Sequence, residues 1–333
     1  MLIIVIITVI IALGFDFLNG MNDAGNSIAT IVATGVLKPK HAVMWAAFFN
    51  FIAFLIFGVH VATTIGKGVV SADVIKGDPI FILSALLSAI IWVTFCGKNG
   101  LPNSVSHALI GGLVGAALIK GGISAVVLTG VFKILIFIVI APVLGFILGY
   151  LFMVLTMWAC KRQNPYKIDS FFRISQLISS AAFSLGHGGN DAQKTMGIIA
   201  VLLYSTGYLG NEFYVPLWVA MSANAAIALG TLLGAWKIIK TLGVGLSHLK
   251  PIGGFVAETA GAMTLFGVTS LGIPVSTTHT ITGAIIGVGV TKSLSAVKWS
   301  IASNIVVAWV LTIPATIIIS IGVYSLLHII IPL

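Results

Sequence analysis

The sequence predicts an all-α polytopic membrane protein. It is built as two inverted repeats with broken or re-entrant helices, and has about 10–12 transmembrane segments. Three observations lead there. The 333 residues are 59% hydrophobic and only 8% charged, with a mean hydropathy of +1.15, whereas soluble domains carry about 25% charged residues. Several apolar runs reach the roughly 20 residues that a helix needs to cross a bilayer. A polar motif buried in such runs occurs twice: Gly20-Met21-Asn22-Asp23-Ala24 returns as Gly188-Gly189-Asn190-Asp191-Ala192.

Along the chain, residues 1–35 form one apolar stretch interrupted at Leu18-Asn19-Gly20-Met21-Asn22. Its opening 18 residues lack a basic leader and run directly into the motif, which reads as a retained helix rather than a cleaved signal. The glycine-flanked asparagines predict a broken helix, with a second half starting near Asn22. A helix over 41–60 follows Lys38-Pro39-Lys40, then a polar loop to Asp78. Pro79 opens a helix to about Cys96, Leu101-Pro102-Asn103-Ser104 starts another ending at Lys120, and a long helix covers 131–158. The second half repeats this order at 171–204, 215–236, 252–271, 273 onward and 299–327. The halves are therefore 1–160 and 171–333, joined by a basic connector at 161–170.

Spacing supports the duplication. Asn22 and Asn190 are 168 residues apart, Pro102 and Pro274 are 172 apart, and Asn50 and Asn224 are 174 apart at equivalent points of the helix between. With five crossings per half, Lys38, Lys40, Lys98, Lys161, Arg162, Lys167, Arg173, Lys237, Lys240, Lys250, Lys292 and Lys298 fall on one side. Lys67, Lys76 and Lys120 fall on the other. The richer side is cytoplasmic, so the connector is cytoplasmic, both termini face outside, and an odd number of crossings makes the repeats inverted. The net charge of +9 belongs to this loop bias and does not imply nucleic acid. Cys96 and Cys160 sit at segment ends and suggest no disulfide framework.

Half of the eight acidic residues lie at membrane depth: Asp16, Asp23, Asp191 and Glu258. A carboxylate there is a functional candidate, or else it pairs with a polar neighbour to fix packing. Duplication favours function for Asp23 and Asp191; Asp16 and Glu258 have no repeat partner, and both readings stay open. Pro102 and Pro274 sit where a first helical turn accepts proline, followed by Ser104, Ser106 and Ser276, Thr277, Thr278. Hydroxyls with the free N–H groups of a helix start make an anion site, unless they bond back to carbonyls one turn earlier. His107 and His279 close the two motifs and read either as packing residues or as part of the site. Two carboxylates would repel an anion, so cations must neutralise them. Carboxylate, amide carbonyl and hydroxyl oxygens suit Na⁺. Cation-coupled anion uptake follows from this inventory, with Asn22, Asp23, Asn190 and Asp191 as Na⁺ ligands. Lys194 is the basic residue nearest the pair, spaced to meet Asp191 at i+3.

These residues resemble the inorganic phosphate transporter family, whose mark is a duplicated Gly-x-Asn/His-Asp-x-x-Asn signature. The 101–109 and 274–279 segments and Glu258-Thr259-Ala260-Gly261 look like its other motifs, so the likeness covers nearly the whole chain. The resemblance implies inorganic phosphate as substrate, held by Ser104, Ser106, Gln193, Ser276, Thr277 and Thr278. It implies Na⁺ or H⁺ as driver, no cofactor, a multi-pass protein of the plasma membrane, and a homodimer. Asp16, Asn26, Asn50, Lys194, Asn224, Glu258, His107 and His279 are candidates for coupling or support. Three departures stand out. Lys194 replaces the signature's last Asn, Asn50 stands where some relatives carry glutamate, and Asn22 stands where many bacterial members have His. Asn carries no proton at physiological pH, which points to Na⁺. An H⁺-coupled phosphate or sulfate permease is the closest alternative, followed by a passive anion channel. An intramembrane hydrolase is disfavoured: no Gly-x-Ser-x-Gly elbow is present.

Overall fold

The computed structural model describes residues 1–331 except 102, 235–238, 240 and 242–245. Lys237, Lys240 and Pro102 thus lie outside the described residues. The first half consists of α1 (Leu2–Ala33), α2 (Pro39–Ile52), α3 (His60–Gly68), α4 (Ala72–Ile75), α5 (Pro79–Asn99), α6 (Val105–Gly121) and α7 (Leu128–Cys160). The second consists of α8 (Pro165–Ser205), α9 (Leu217–Leu233), α10 (Pro251–Ser270), α11 (Thr277–Val290) and α12 (Trp299–Ile330). Five of these, α1, α5, α7, α10 and α12, are long and apolar enough to cross a membrane, or six spans if the bent pair α2–α3 counts as one.

The expected breaks are elsewhere. α1 and α8 run unbroken through both Asn-Asp motifs. The glycines there serve close crossing rather than interruption: a Cβ at Gly20 would collide with the Ile227 carbonyl of α9, and one at Gly188 with the backbone of Asn50 in α2. Nearby amides are satisfied inside the helix, Asn22 Nδ2 by the Leu18 carbonyl at 2.9 Å and Gln193 Nε2 by the Gly189 carbonyl at 2.6 Å. The real bend, 77°, separates α2 from α3, so the expected 61–78 loop contains two helices. The expected connector is also mostly helical: Pro165 opens α8, with the Asn164 side chain capping Tyr166 N at 2.9 Å.

α6 and α11 start later than their prolines suggest. Gly100 ends α5 with a φ of +67°, and Gly272 has a φ of +68° just past α10, a left-handed conformation that glycine adopts without a Cβ penalty. Ser104 and Ser276, each with extended backbone, are the N-caps. Pro274 therefore precedes its helix instead of sitting in the first turn. Each cap oxygen accepts from the N–H three residues on, His107 N at 3.2 Å and His279 N at 3.3 Å.

These two helices are buried along most of their length, and each packs against the last long helix of the other half, α6 on α12 and α11 on α7. The same device makes both contacts. Gly111 and Gly115 of α6 face Ile313, Thr316 and Ile317, while Gly283 and Gly287 of α11 face Pro142 and Phe146. Small residues four apart allow such backbone approach in a bilayer. The lipid-side faces of α7 and α12 carry exposed Phe132, Ile136, Val139, Val307, Val310 and Ile318.

Hydrogen bonds group the helix ends. At one end Asp78 meets Lys120 at 2.6 Å and Tyr324 at 2.9 Å, and Gly77 N reaches the Ser205 carbonyl. At the opposite end Arg173 at the start of α8 reaches the Gly35 carbonyl just beyond α1 at 3.2 Å. Each half also carries a matching isolated bridge, Val70 with Val126 and Ser247 with Val297.

Candidate functional site

The two Asn-Asp motifs face each other across the start of α11. Asp23 comes from α1 and Asp191 from α8, and both side chains are buried. Thr277 is directed towards both carboxylates, 3.4 Å from Asp23 Oδ2 and 3.3 Å from Asp191 Oδ2, and Thr278 donates to Asp23 Oδ1 at 3.2 Å. Asn26, one helical turn after Asp23, donates to Thr277 at 3.2 Å and Thr278 at 2.9 Å. Ligating atoms of Asp23, His187 and Asp191 all lie within 4.8 Å of one another. Two buried carboxylates this close to one another need neutralising charge nearby.

The Asp191 side contains its own cation. Lys194 Nζ bonds Asp191 Oδ1, the Ser106 hydroxyl at 2.5 Å and the Val275 carbonyl at 2.8 Å. Ser106 itself donates to the Val275 carbonyl at 3.0 Å. Through Lys194, α8 is tied to the starts of both α6 and α11. His187, one turn before Asp191, brings Nε2 to 3.4 Å from Asp191 Oδ2 and Nδ1 to 3.0 Å from Asn50 Oδ1. Asn50 Nδ2 donates to Thr231 at 3.0 Å.

The other sequence candidates sit around this centre in distinct roles. Asn190 is fully engaged by the extended segment before α11, donating to Thr269 at 2.9 Å and the Ile273 carbonyl at 3.2 Å, and accepting from Val275 N at 3.3 Å. The Gln193 carbonyl is likewise taken by Val61 N at 2.9 Å and Ala62 N at 3.3 Å, capping the first turn of α3. Asn22 and Asn26 differ: their Oδ1 atoms are buried without a hydrogen-bond partner. Asp16 is buried near Asn19, whose Nδ2 lies 3.5 Å away. Asn224 donates to the Ala220 carbonyl. His107 and His279 meet edge to face at 4.6 Å, and His279 stacks on Trp309 at 3.6 Å.

Glu258 forms a separate cluster. It accepts from Thr30 at 2.5 Å, Gln176 at 3.0 Å and Ser179 at 2.6 Å, and Thr34 donates on to Gln176. Four residues here escaped sequence reasoning: Thr30, Thr34, Gln176 and Ser179. His187 also escaped selection, although its i−4 spacing from Asp191 on a helix is visible in the sequence. Nothing comparable marks Gln176 and Ser179, which lie in an otherwise ordinary first half of α8.

The geometry agrees with comparison against known proteins. The chain is 58% identical over 310 residues to a protein of Rhizobium meliloti (strain 1021) named a probable low-affinity inorganic phosphate transporter, covering 93% of this chain and 92% of that one. A Bacillus subtilis (strain 168) protein of the same name is 38% identical over 330 residues, covering 99% of both. A solved structure described as the sodium-dependent phosphate transporter superimposes with a TM-score of 0.89 at 26% identity, over 98% of this chain and 100% of that one. The model of the phosphate transporter family matches residues 19–320. With that span matched and the duplicated Asn-Asp centre intact, the chain belongs to the phosphate transporter family.

Proposed function

We propose that this chain is a secondary active symporter that imports inorganic phosphate with a cation, Na⁺, by alternating access around a midplane site. The observation that carries the reading is the meeting of Asp23 and Asp191, one from each half, at the hydroxyl-bearing start of α11. The carboxylates attract cations. The start of α11 offers free N–H groups and hydroxyls that suit a tetrahedral oxyanion once cations cancel the carboxylate charge. On this reading Asp23 and Asp191 are the principal cation ligands, joined by the unpartnered Asn22 and Asn26 carbonyls. Ser106, Thr277 and Thr278 line the phosphate side, with Ser104 and Ser276 shaping the helix starts. Asn190 and Gln193 hold the neighbouring backbone in place. Na⁺ dependence is stated of the structural relative and supports the choice of ion.

The exchanged packing of α6 with α12 and α11 with α7, and the placing of the end of α1 beside the start of α8, support an inverted repeat. Such repeats rock against each other to expose a midplane site alternately. The basic-residue bias supports a plasma-membrane orientation with the 161–170 stretch cytoplasmic and both termini outside. The same reading includes a homodimer. The test is purified protein in liposomes. Phosphate uptake should follow an imposed Na⁺ gradient and be out-competed by unlabelled phosphate but not by sulfate. Uptake driven by a pH gradient alone would replace Na⁺ with H⁺, and gradient-independent flux would replace the symporter with a channel.

A further inference from the structure

We infer that the Lys194 ammonium occupies the place of one coupling cation, so that this chain moves one cation fewer per phosphate than it would with asparagine there. The inference rests on the reading of the Asp23–Asp191 centre as a cation-coupled site. Nζ is enclosed by a carboxylate, a hydroxyl and a backbone carbonyl, from Asp191, Ser106 and Val275. These are the oxygen types that hold a hard cation. Lys194 is 2% exposed, so water does not share the task. An ammonium has three donors and no acceptor, and all three are spent on these oxygens. None remains for an anion, which distinguishes a cation surrogate from a phosphate-binding lysine.

The other half shows what the position holds without a charge. Asn26 occupies the matching place after Asp23. It reaches Thr277 and Thr278 as Lys194 reaches Ser106. Asp23 there accepts hydrogen bonds from the Thr277 and Thr278 hydroxyls, with the His187 ring, taken as neutral, shared within 4.8 Å of both carboxylates, and the buried Oδ1 atoms of Asn22 and Asn26 have no partner. One carboxylate therefore has a tethered cation, and the other has oxygens but no cation of its own. Two acids and one ammonium leave a single negative charge for a mobile ion.

The experiment measures ions per phosphate in liposomes at zero voltage, from phosphate accumulation against a Na⁺ gradient. With one Na⁺ per phosphate a tenfold gradient supports about tenfold accumulation; with two it supports about a hundredfold. Wild type should show the first value and Lys194→Asn and Lys194→Gln the second, while Lys194→Arg, which keeps the charge, should retain the first. A folded, active Lys194→Asn with the wild-type ratio overturns the inference, as does a wild-type ratio of two or more. The wild-type ratio also decides if neither neutral variant is recovered folded. Absence of any Na⁺ dependence in wild type overturns the Na⁺ reading alone. The ratio is then taken for the cation that does couple, and it should still rise by one in the variants.

Discussion

Thr278 of α11 donates to Asp23 of α1 at 3.2 Å, joining residues 255 positions apart in the chain. A hydroxyl and a carboxylate drawn from opposite halves thus share one hydrogen bond at the centre of the molecule. The bond is conditional: a cation arriving at Asp23 competes for its oxygens, and an anion arriving at the helix start competes for the hydroxyl. Thr278→Val keeps the shape and removes the donor. Losing one such bond costs on the order of 1–3 kcal/mol, which corresponds to a roughly 5- to 150-fold loss of phosphate affinity. Calorimetry on the purified variant reads this directly, and unchanged affinity would reduce Thr278 to a packing residue.

The two carboxylates should respond differently to neutralisation. Asp23→Asn removes a charge that no fixed cation matches, so the protein should fold and lose ion-coupled uptake. Asp191→Asn strands the buried Lys194 ammonium, and breaking a buried pair from one side costs about 3–5 kcal/mol. Thermal unfolding in detergent should therefore fall far more for Asp191→Asn than for Asp23→Asn. Adding Lys194→Asn to Asp191→Asn should recover much of the loss, and equal melting temperatures for all three would show that the pair is not coupled.

Ser104 and Ser276 should act on stability more than on binding. Each caps its helix through the N–H three residues on, and replacing a cap by Ala costs about 0.5–2 kcal/mol. Ser104→Ala and Ser276→Ala should lower the melting temperature while moving phosphate affinity less than Thr278→Val does. The opposite ranking would return both serines to the anion site.

The sequence made the centre legible because its parts are duplicated. Asp23, Asp191 and the Ser/Thr-His segments recur at nearly constant spacing, and recurrence of polar groups inside apolar runs weighs towards function over packing. It misled on the helix breaks because glycine has two uses at membrane depth. At Gly20 and Gly188 it admits a neighbouring backbone, whereas at Gly100 and Gly272, outside the motifs, it turns the chain with a positive φ. Gln193 was read as a ligand from its place in the motif, yet its carbonyl caps α3. That partner lies 132 residues away and no local pattern encodes it. The Glu258 cluster was hidden for the same reason, since Thr30, Gln176 and Ser179 converge only once α1, α8 and α10 pack.

The glycine reading has its own check. Gly20→Ala and Gly188→Ala each drive a methyl into a backbone and should cost roughly 1–3 kcal/mol as overpacking. Gly14→Ala and Gly267→Ala meet nothing within 4 Å and should leave the melting temperature unchanged or slightly raised. A flexible break at the motifs would instead predict that alanine at Gly20 is tolerated in the fold and harmful only to transport.

Asp78 gives a pH-dependent prediction at the membrane edge. Burial raises its carboxyl, but the hydrogen bond and charge of Lys120, with the Tyr324 hydroxyl and Phe81 N–H, outweigh that and hold it below the ordinary carboxylate value. A folded-state pKa below the unfolded one adds stability that is present above the unfolded value, near pH 4, and is lost as pH falls through the folded one. Asp78→Asn should therefore melt below wild type at neutral pH, with the gap closing as the medium is acidified. Asn keeps an acceptor for Phe81 N, so a gap independent of pH would mean that the charge of Asp78 does not make the contribution.

Orientation is tested by placing one cysteine at Gln163 and another directly after Leu333, in a background with Cys96 and Cys160 replaced. Gln163 lies between α7 and α8, beside Lys161 and Arg162 and exposed, so a reagent can reach it from whichever side it faces. The excess of basic residues at that end predicts that it faces the cytoplasm. In intact cells an impermeant thiol reagent should label the terminal cysteine and spare Gln163→Cys, and permeabilisation should make both reactive. Labelling of Gln163→Cys in intact cells would reverse the orientation. Protection of the terminal cysteine as well would place both sites on one side. That would contradict the odd number of crossings proposed for the second half, and with it the proposed inversion of the two repeats.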